Sequence, residues 1–132
     1  MAYKALPNVY TLADCTDFQK TVLDFQPQFY ALAASVLDSW SDFEQLKHVY
    51  LTTNPLVTAV ALSLAFTPVA FIAAEVNRNY SQIDRFWSII PTFYNAHYAL
   101  WASLNGLPTE RLYTVLAVSL LWSVSRLRNI TI

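Results

Sequence analysis

The residues best placed to do chemistry in this chain lie between Asn79 and Tyr98. On a helical wheel of about 100° per residue, Asp84, Ser88, Pro91, Asn95 and Tyr98 fall within about 80° of one another. Tyr80 precedes them by one turn. A carboxylate, a hydroxyl, a carboxamide and a phenol on one face could orient a polar ligand or bond to a neighbouring helix. The opposite face carries Phe86, Ile89, Ile90, Phe93 and Leu100. His97 falls among the apolar residues, where it could meet another helix or reach toward lipid headgroups. Asp84-Arg85 at the helix entrance reads as a helix-start charge with an interfacial anchor more readily than as an acid–base pair.

Other chemistries are poorly served. A single glycine, Gly106, cannot build a phosphate-cradling loop. Cys15, His48 and His97 are too few and too scattered for a zinc signature, so no metal site is expected. Cys15 reads as a small core residue. No serine sits in a nucleophile-elbow context. A net charge of -1 provides no basic field for a nucleic-acid backbone.

The elements that must position the polar stripe follow from where the charges fall. Of 132 residues, 55% are hydrophobic and 13% charged, against roughly 25% charged in average soluble domains. Three windows carry no charge: 55–74, 86–109 and 112–125. A spanning helix needs about 20 mostly apolar residues to cross about 30 Å of hydrocarbon. The first window meets that length with only Thr58, Ser63 and Thr67 as polar residues. The second helix starts near Ser81 and stops at Asn105-Gly106, where glycine is free to turn left-handed. The third opens at Pro108 or Thr109 and ends before Arg126 and Arg128, which can snorkel. The link between the second and third is short enough to make them an antiparallel hairpin.

Residues 1–54 differ in composition, with a net charge of -3. Cys15, Phe18, Val22 and Phe25 recur at helical steps, and Pro27 breaks the pattern. Phe29, Leu32, Ala33, Val36, Leu37 and Trp40 form a second stripe. Ser41-Asp42-Phe43-Glu44 reads as a capping box before Leu46, Val49 and Tyr50. These are three amphipathic helices, lying on a membrane or folded over the bundle. The expected fold class is therefore all-α. An amphipathic helical segment, 1–54, precedes an integral membrane region, 55–132, with about three transmembrane helices near 55–74, 82–104 and 109–125. The bilayer is the expected partner, with other transmembrane helices where the polar stripe needs covering. Arg78, Arg85, Arg126 and Arg128 on one side, against Lys47 and Arg111 on the other, place the C-terminus in the cytoplasm. The sequons at Asn79 and Asn129 then fall on the cytoplasmic side, where they would not be glycosylated.

The run Asn79-Tyr80-Ser81-Gln82-Ile83-Asp84-Arg85-Phe86-Trp87-Ser88-Ile89-Ile90-Pro91 resembles a motif near the start of a membrane family related to steroid 5-alpha-reductases. Tyr94-Asn95-Ala96-His97 and Asn105-Gly106-Leu107-Pro108-Thr109 are similar to its fungal, functionally uncharacterised branch. The resemblance runs from about Leu12 to Trp122. It implies an all-helical protein of the endoplasmic reticulum. It also implies that full-length relatives, roughly twice as long or more, reduce enone lipids with NADPH held by their C-terminal helices. The motif residues Asn79, Tyr80, Ser81, Asp84, Arg85, Trp87, Ser88, Asn95 and Tyr98 become candidates for binding a lipid or sterol-like ligand. Since the likeness fades after Trp122, the chain reads as a truncated N-terminal portion, not catalytic by itself and binding no cofactor. The competing expectations are a small membrane protein that binds other transmembrane helices and, less well supported, a small active lipid enzyme.

Overall fold

The structure, a computed structural model, describes residues 5–78 and 81–130, with the side chains of 81–85 and 129–130 excepted. The described residues are helical, with no strand among them. Seven α-helices follow in order: α1 (Leu12–Thr16), α2 (Phe18–Thr21), α3 (Gln26–Ser39), α4 (Phe43–Thr52), α5 (Pro55–Asn77), α6 (Ser81–Leu104) and α7 (Glu110–Ile130). The chain divides into two compact units, Met1–Ala61 and Leu62–Ile132.

In the first unit the expected helix through Cys15, Phe18, Val22 and Phe25 is broken into α1, α2 and a 3-10 turn, Leu23–Phe25. The cause is local side-chain competition for the backbone. Thr11 and Asp14 form a reciprocal capping box at the start of α1. Asp17 then closes α1 and opens α2, its carboxylate accepting the Gln19 N–H at 3.0 Å. Asp14 also accepts the Lys20 ammonium at 2.7 Å. That ammonium, and next the Thr11 hydroxyl, hold its carboxyl well below the usual carboxylate range. Cys15 is exposed, not a core residue, because the fragmented helices turn it outward.

Pro27 occupies the first turn of α3, where its missing N–H has no helical partner to lose. The cap of α4 is Asp42, one residue beyond the expected Ser41. Its Oδ1 accepts the Glu44 N–H at 3.0 Å and the Gln45 N–H at 3.4 Å. Asn54 starts α5, its Oδ1 accepting the Leu56 N–H at 2.8 Å, with Pro55 at the first helical position. The same side chain donates through Nδ2 to the Ala5 carbonyl at 2.7 Å, and its backbone N–H donates to Gln28 Oε1 at 2.9 Å. Asn54 therefore joins the start of the chain, α3 and α5 at one buried point.

α5 runs unbroken for 23 residues through Pro68. Among the described residues it is the one helix both long and apolar enough to cross a membrane, and only 17% of its apolar window is buried. α6 and α7 have the length, at 24 and 21 residues. Their composition is more mixed, because α6 carries Ser88, Asn95 and His97 and α7 carries charges at both ends.

In the second unit α6 and α7 pack as a hairpin. Its turn is a Schellman cap: Leu107 N–H donates to Ala102 O and Gly106 N–H to Ser103 O, each at 3.0 Å. Gly106 has a φ of 68°, and a Cβ built there would meet nothing within 4 Å. Any penalty for a side chain at this position is therefore conformational, about 1–2 kcal/mol, and not steric crowding by neighbours.

Candidate functional site

The hairpin is held by small hydroxylated residues at four-residue steps: Ser88 and Thr92 on α6, Ser119 and Ser123 on α7. Ser123 Oγ donates to the Ser88 carbonyl at 2.7 Å. Thr92 Oγ1 lies 2.9 Å from the Ser119 carbonyl and 2.6 Å from Ser123 Oγ. Two hydroxyl protons serve three contacts, so one of them is shared, and either hydroxyl can be the donor between Thr92 and Ser123. Ser88 and Ser123 are buried. Small residues spaced this way let two helices approach closely.

Beside this seam an open groove of about 500 Å³ runs between the helices, with Pro91 and Asn95 on its α6 wall and Val115, Val118 and Trp122 on α7. Its surface is almost wholly apolar, although Asn95, Thr114 and Ser119 are among its lining residues. Among the described residues, no hydrogen bond engages the Asn95 carboxamide. Pro91 has no N–H to give to the Trp87 carbonyl, a second polar group on α6 that the helical ladder leaves open.

The expected cluster is assembled in part. Ser88 and Asn95 face α7, Ser88 in the seam and Asn95 in the groove. Tyr98 is half-buried at the edge of that face, its ring centroid 5.3 Å from that of His97. Trp87 is exposed. Asn79 and Tyr80 lie outside the described residues, as do the side chains of Ser81, Asp84 and Arg85. The α7-facing line is rotated toward Thr92 from the expected stripe. Thr92, Ser119 and Ser123 lie outside the polar stripe expected from the sequence. Their signal was the small-x-x-x-small spacing, which a wheel of polar residues alone passes over.

A second face of α6 meets α5. Ser63 Oγ and Tyr94 Oη are hydrogen-bonded, and the rings of Phe66 and Phe86 meet edge to face at 5.3 Å. His97 is buried and does not point into open surroundings. Ile89, Phe93 and Leu100 are exposed on the remaining face, opposite the seam as expected. Among the described residues no three His, Cys, Asp or Glu side chains are grouped to hold a metal ion.

This chain is similar to an uncharacterized protein of Schizosaccharomyces pombe. The two are 27% identical over 123 residues, covering 89% of this chain and 33% of the yeast protein. The chain thus spans about a third of the length of the curated relative it matches. No protein-family profile and no solved structure matches it.

Proposed function

We propose that this chain is the N-terminal membrane portion of a steroid 5-alpha-reductase-like, lipid-reducing protein, and that it is not catalytic by itself. The membrane part of the reading is supported by α5, an apolar helix of spanning length whose surface is largely left uncovered, and the reductase-like part by the resemblance of the run from Asn79 to Pro91. Leu64, Val69, Phe71, Ile72 and Val76 are all exposed along α5, an arrangement stable in hydrocarbon and costly in water. α6 and α7 complete three spans, with uncharged windows at 86–109 and 112–125. The C-terminus is then cytoplasmic, and the endoplasmic reticulum is the membrane the resemblance implies. The motif from Asn79 to Ser88, with Asn95 and Tyr98, would contribute to a lipid or sterol-like site completed by further helices. The S. pombe protein has length for such helices, since the match occupies a third of it.

The groove favours a second reading, a membrane protein that binds other transmembrane helices. An unbonded carboxamide at membrane depth is expensive until another helix supplies its partners. The two readings share the spans. Carbonate extraction tests these first: the chain should stay in the membrane pellet, and release into the supernatant would overturn both.

NADPH binding tests the catalytic half of the proposal. A dinucleotide phosphate needs several converging donors, usually basic side chains or helix N-termini. Arg78, Arg85, Arg126 and Arg128 are the basic residues on the proposed cytoplasmic side, two of them near the C-terminal end. Fluorescence titration of the detergent-solubilised chain should give no saturable response in the micromolar range. Saturable binding abolished by Arg126→Ala would establish a cofactor site within the chain.

A further inference from the structure

α3 has two apolar faces, and the first unit uses only one. Phe29 and Leu32 are half-buried and Ser39 is buried, on the side that also receives Phe25 of the preceding turn. On a helical wheel, Tyr30, Ala33, Leu37 and Trp40 form a line centred about 105° away. Tyr30, Leu37 and Trp40 are 71%, 72% and 76% exposed, and Phe43, just beyond the helix, is 76% exposed. Asp38 is the only charge among the 14 residues of α3. Such a helix is an unstable surface for a soluble unit.

Two observations say what covers this line. The first is continuity with the span: Gln28, in the first turn of α3, accepts the backbone N–H of Asn54, the residue that caps α5. The start of α3 is therefore fixed at the mouth of the helix that enters the membrane. α4 also ends there, at Thr52. The two ends of the α3–α4 hairpin thus meet at the start of α5, and its far tip carries Trp40 and Phe43. Tyr and Trp are enriched at membrane–water interfaces. The second observation is charge. Residues 1–54 carry a net charge of -3, and α3 has no Lys or Arg. Helices that bind anionic lipid are rich in Lys and Arg on their polar face. An acidic unit is repelled by such lipid and is compatible with a zwitterionic surface.

We propose that Tyr30, Ala33, Leu37 and Trp40 seat α3 in the headgroup–acyl boundary of a zwitterionic bilayer, so that the α3–α4 hairpin lies flat on the membrane beside the mouth of α5. The proposal rests on the membrane reading of α5 and adds to it the position of the N-terminal unit. Its consequence is an anchor independent of the spans, one that holds the polar entrance of α5 at a fixed depth.

The single cysteine makes the test clean. In the full chain carrying Cys15→Ser, nitroxide labels are placed singly at Leu37→Cys, Asp38→Cys and Val69→Cys, and the proteins are reconstituted in phosphatidylcholine vesicles. Collision with oxygen reports lipid, and collision with a water-soluble nickel chelate reports water. Position 37 should favour oxygen while position 38, on the next face, favours nickel. Position 69, mid-α5, should lie deep in lipid. Nickel access at 37 with lipid access at 69 overturns the proposal and leaves the span standing. Nickel access at 69 defeats the span itself. Low access to both reagents at 37 means protein, a second copy or another chain, covers the stripe, and also overturns the proposal. Ala33→Cys, a smaller change on the same line, repeats the measurement should Leu37→Cys perturb folding.

Discussion

Replacing Asn54 with alanine is expected to destabilise the N-terminal unit by about 2–4 kcal/mol. Two separate contributions produce that figure. The side-chain Oδ1 caps α5 through the Leu56 N–H at 2.8 Å, and loss of such a cap costs about 1 kcal/mol. The Nδ2 group donates to the Ala5 carbonyl at 2.7 Å across 49 residues of sequence. Asn54 is 4% exposed, so alanine would leave that carbonyl without its partner in a buried setting, which adds about 1–3 kcal/mol. Asn54→Ser separates the two, because serine is a good cap but too short to reach Ala5. It should recover about 1 kcal/mol of the loss. Reversible unfolding in mixed detergent micelles, followed by far-UV circular dichroism, is the measurement. A shift below about 0.5 kcal/mol for the alanine variant would mean that the buried bonds carry no net stability.

The starts of the long helices, and the end of α6, were legible because local signals set them. Pro55 opens α5, Ser81 opens α6, Asn105-Gly106 ends it, and α7 begins at Glu110, within a residue of expectation. Proline and glycine act within a turn of where they stand, so no partner is needed to read them, whereas α5 and α7 run on past their charge-free windows to Asn77 and Ile130. Faces are different, because which side of a helix is covered depends on what arrives there. The polar residues of α6 pointed to the correct half of the helix. The seam nevertheless centres nearer Thr92, because its fit depends on Ser119 and Ser123 of another helix. In α3, Phe29, Leu32 and Val36 merge with Ala33, Leu37 and Trp40 into one broad stripe on the wheel. Only packing sets Phe29 and Leu32 inward and leaves Val36, Ala33, Leu37 and Trp40 exposed. The short N-terminal helices were missed for the opposite reason. Their apolar periodicity is intact, yet Thr11, Asp14 and Asp17 offer the backbone side-chain partners that end each turn early.

Substitutions at Ser123 should grade with size more than with lost polarity. Alanine removes a hydroxyl that donates to the Ser88 carbonyl and contacts Thr92. A helical carbonyl keeps a second lone pair in use, and interhelical bonds within membranes average about 0.6 kcal/mol, reaching about 1.7. The expected loss for Ser123→Ala is about 1 kcal/mol. Leucine loses the same bonds and must also fit three further carbons at a site only 6% exposed, with the Thr92 hydroxyl 2.6 Å away. Overpacking of this kind adds about 1–3 kcal/mol, for a total of about 2–4 kcal/mol. The hairpin could escape only by moving α7 outward, which would also open the groove around Asn95. Detergent-titrated unfolding followed by tryptophan fluorescence should therefore rank wild type above Ser123→Ala, and Ser123→Ala well above Ser123→Leu. Thr92→Val combined with Ser123→Ala should cost less than the sum of the two single changes, since both delete one shared contact. Equal stabilities for the alanine and leucine variants would show that α6 and α7 do not approach closely at this seam.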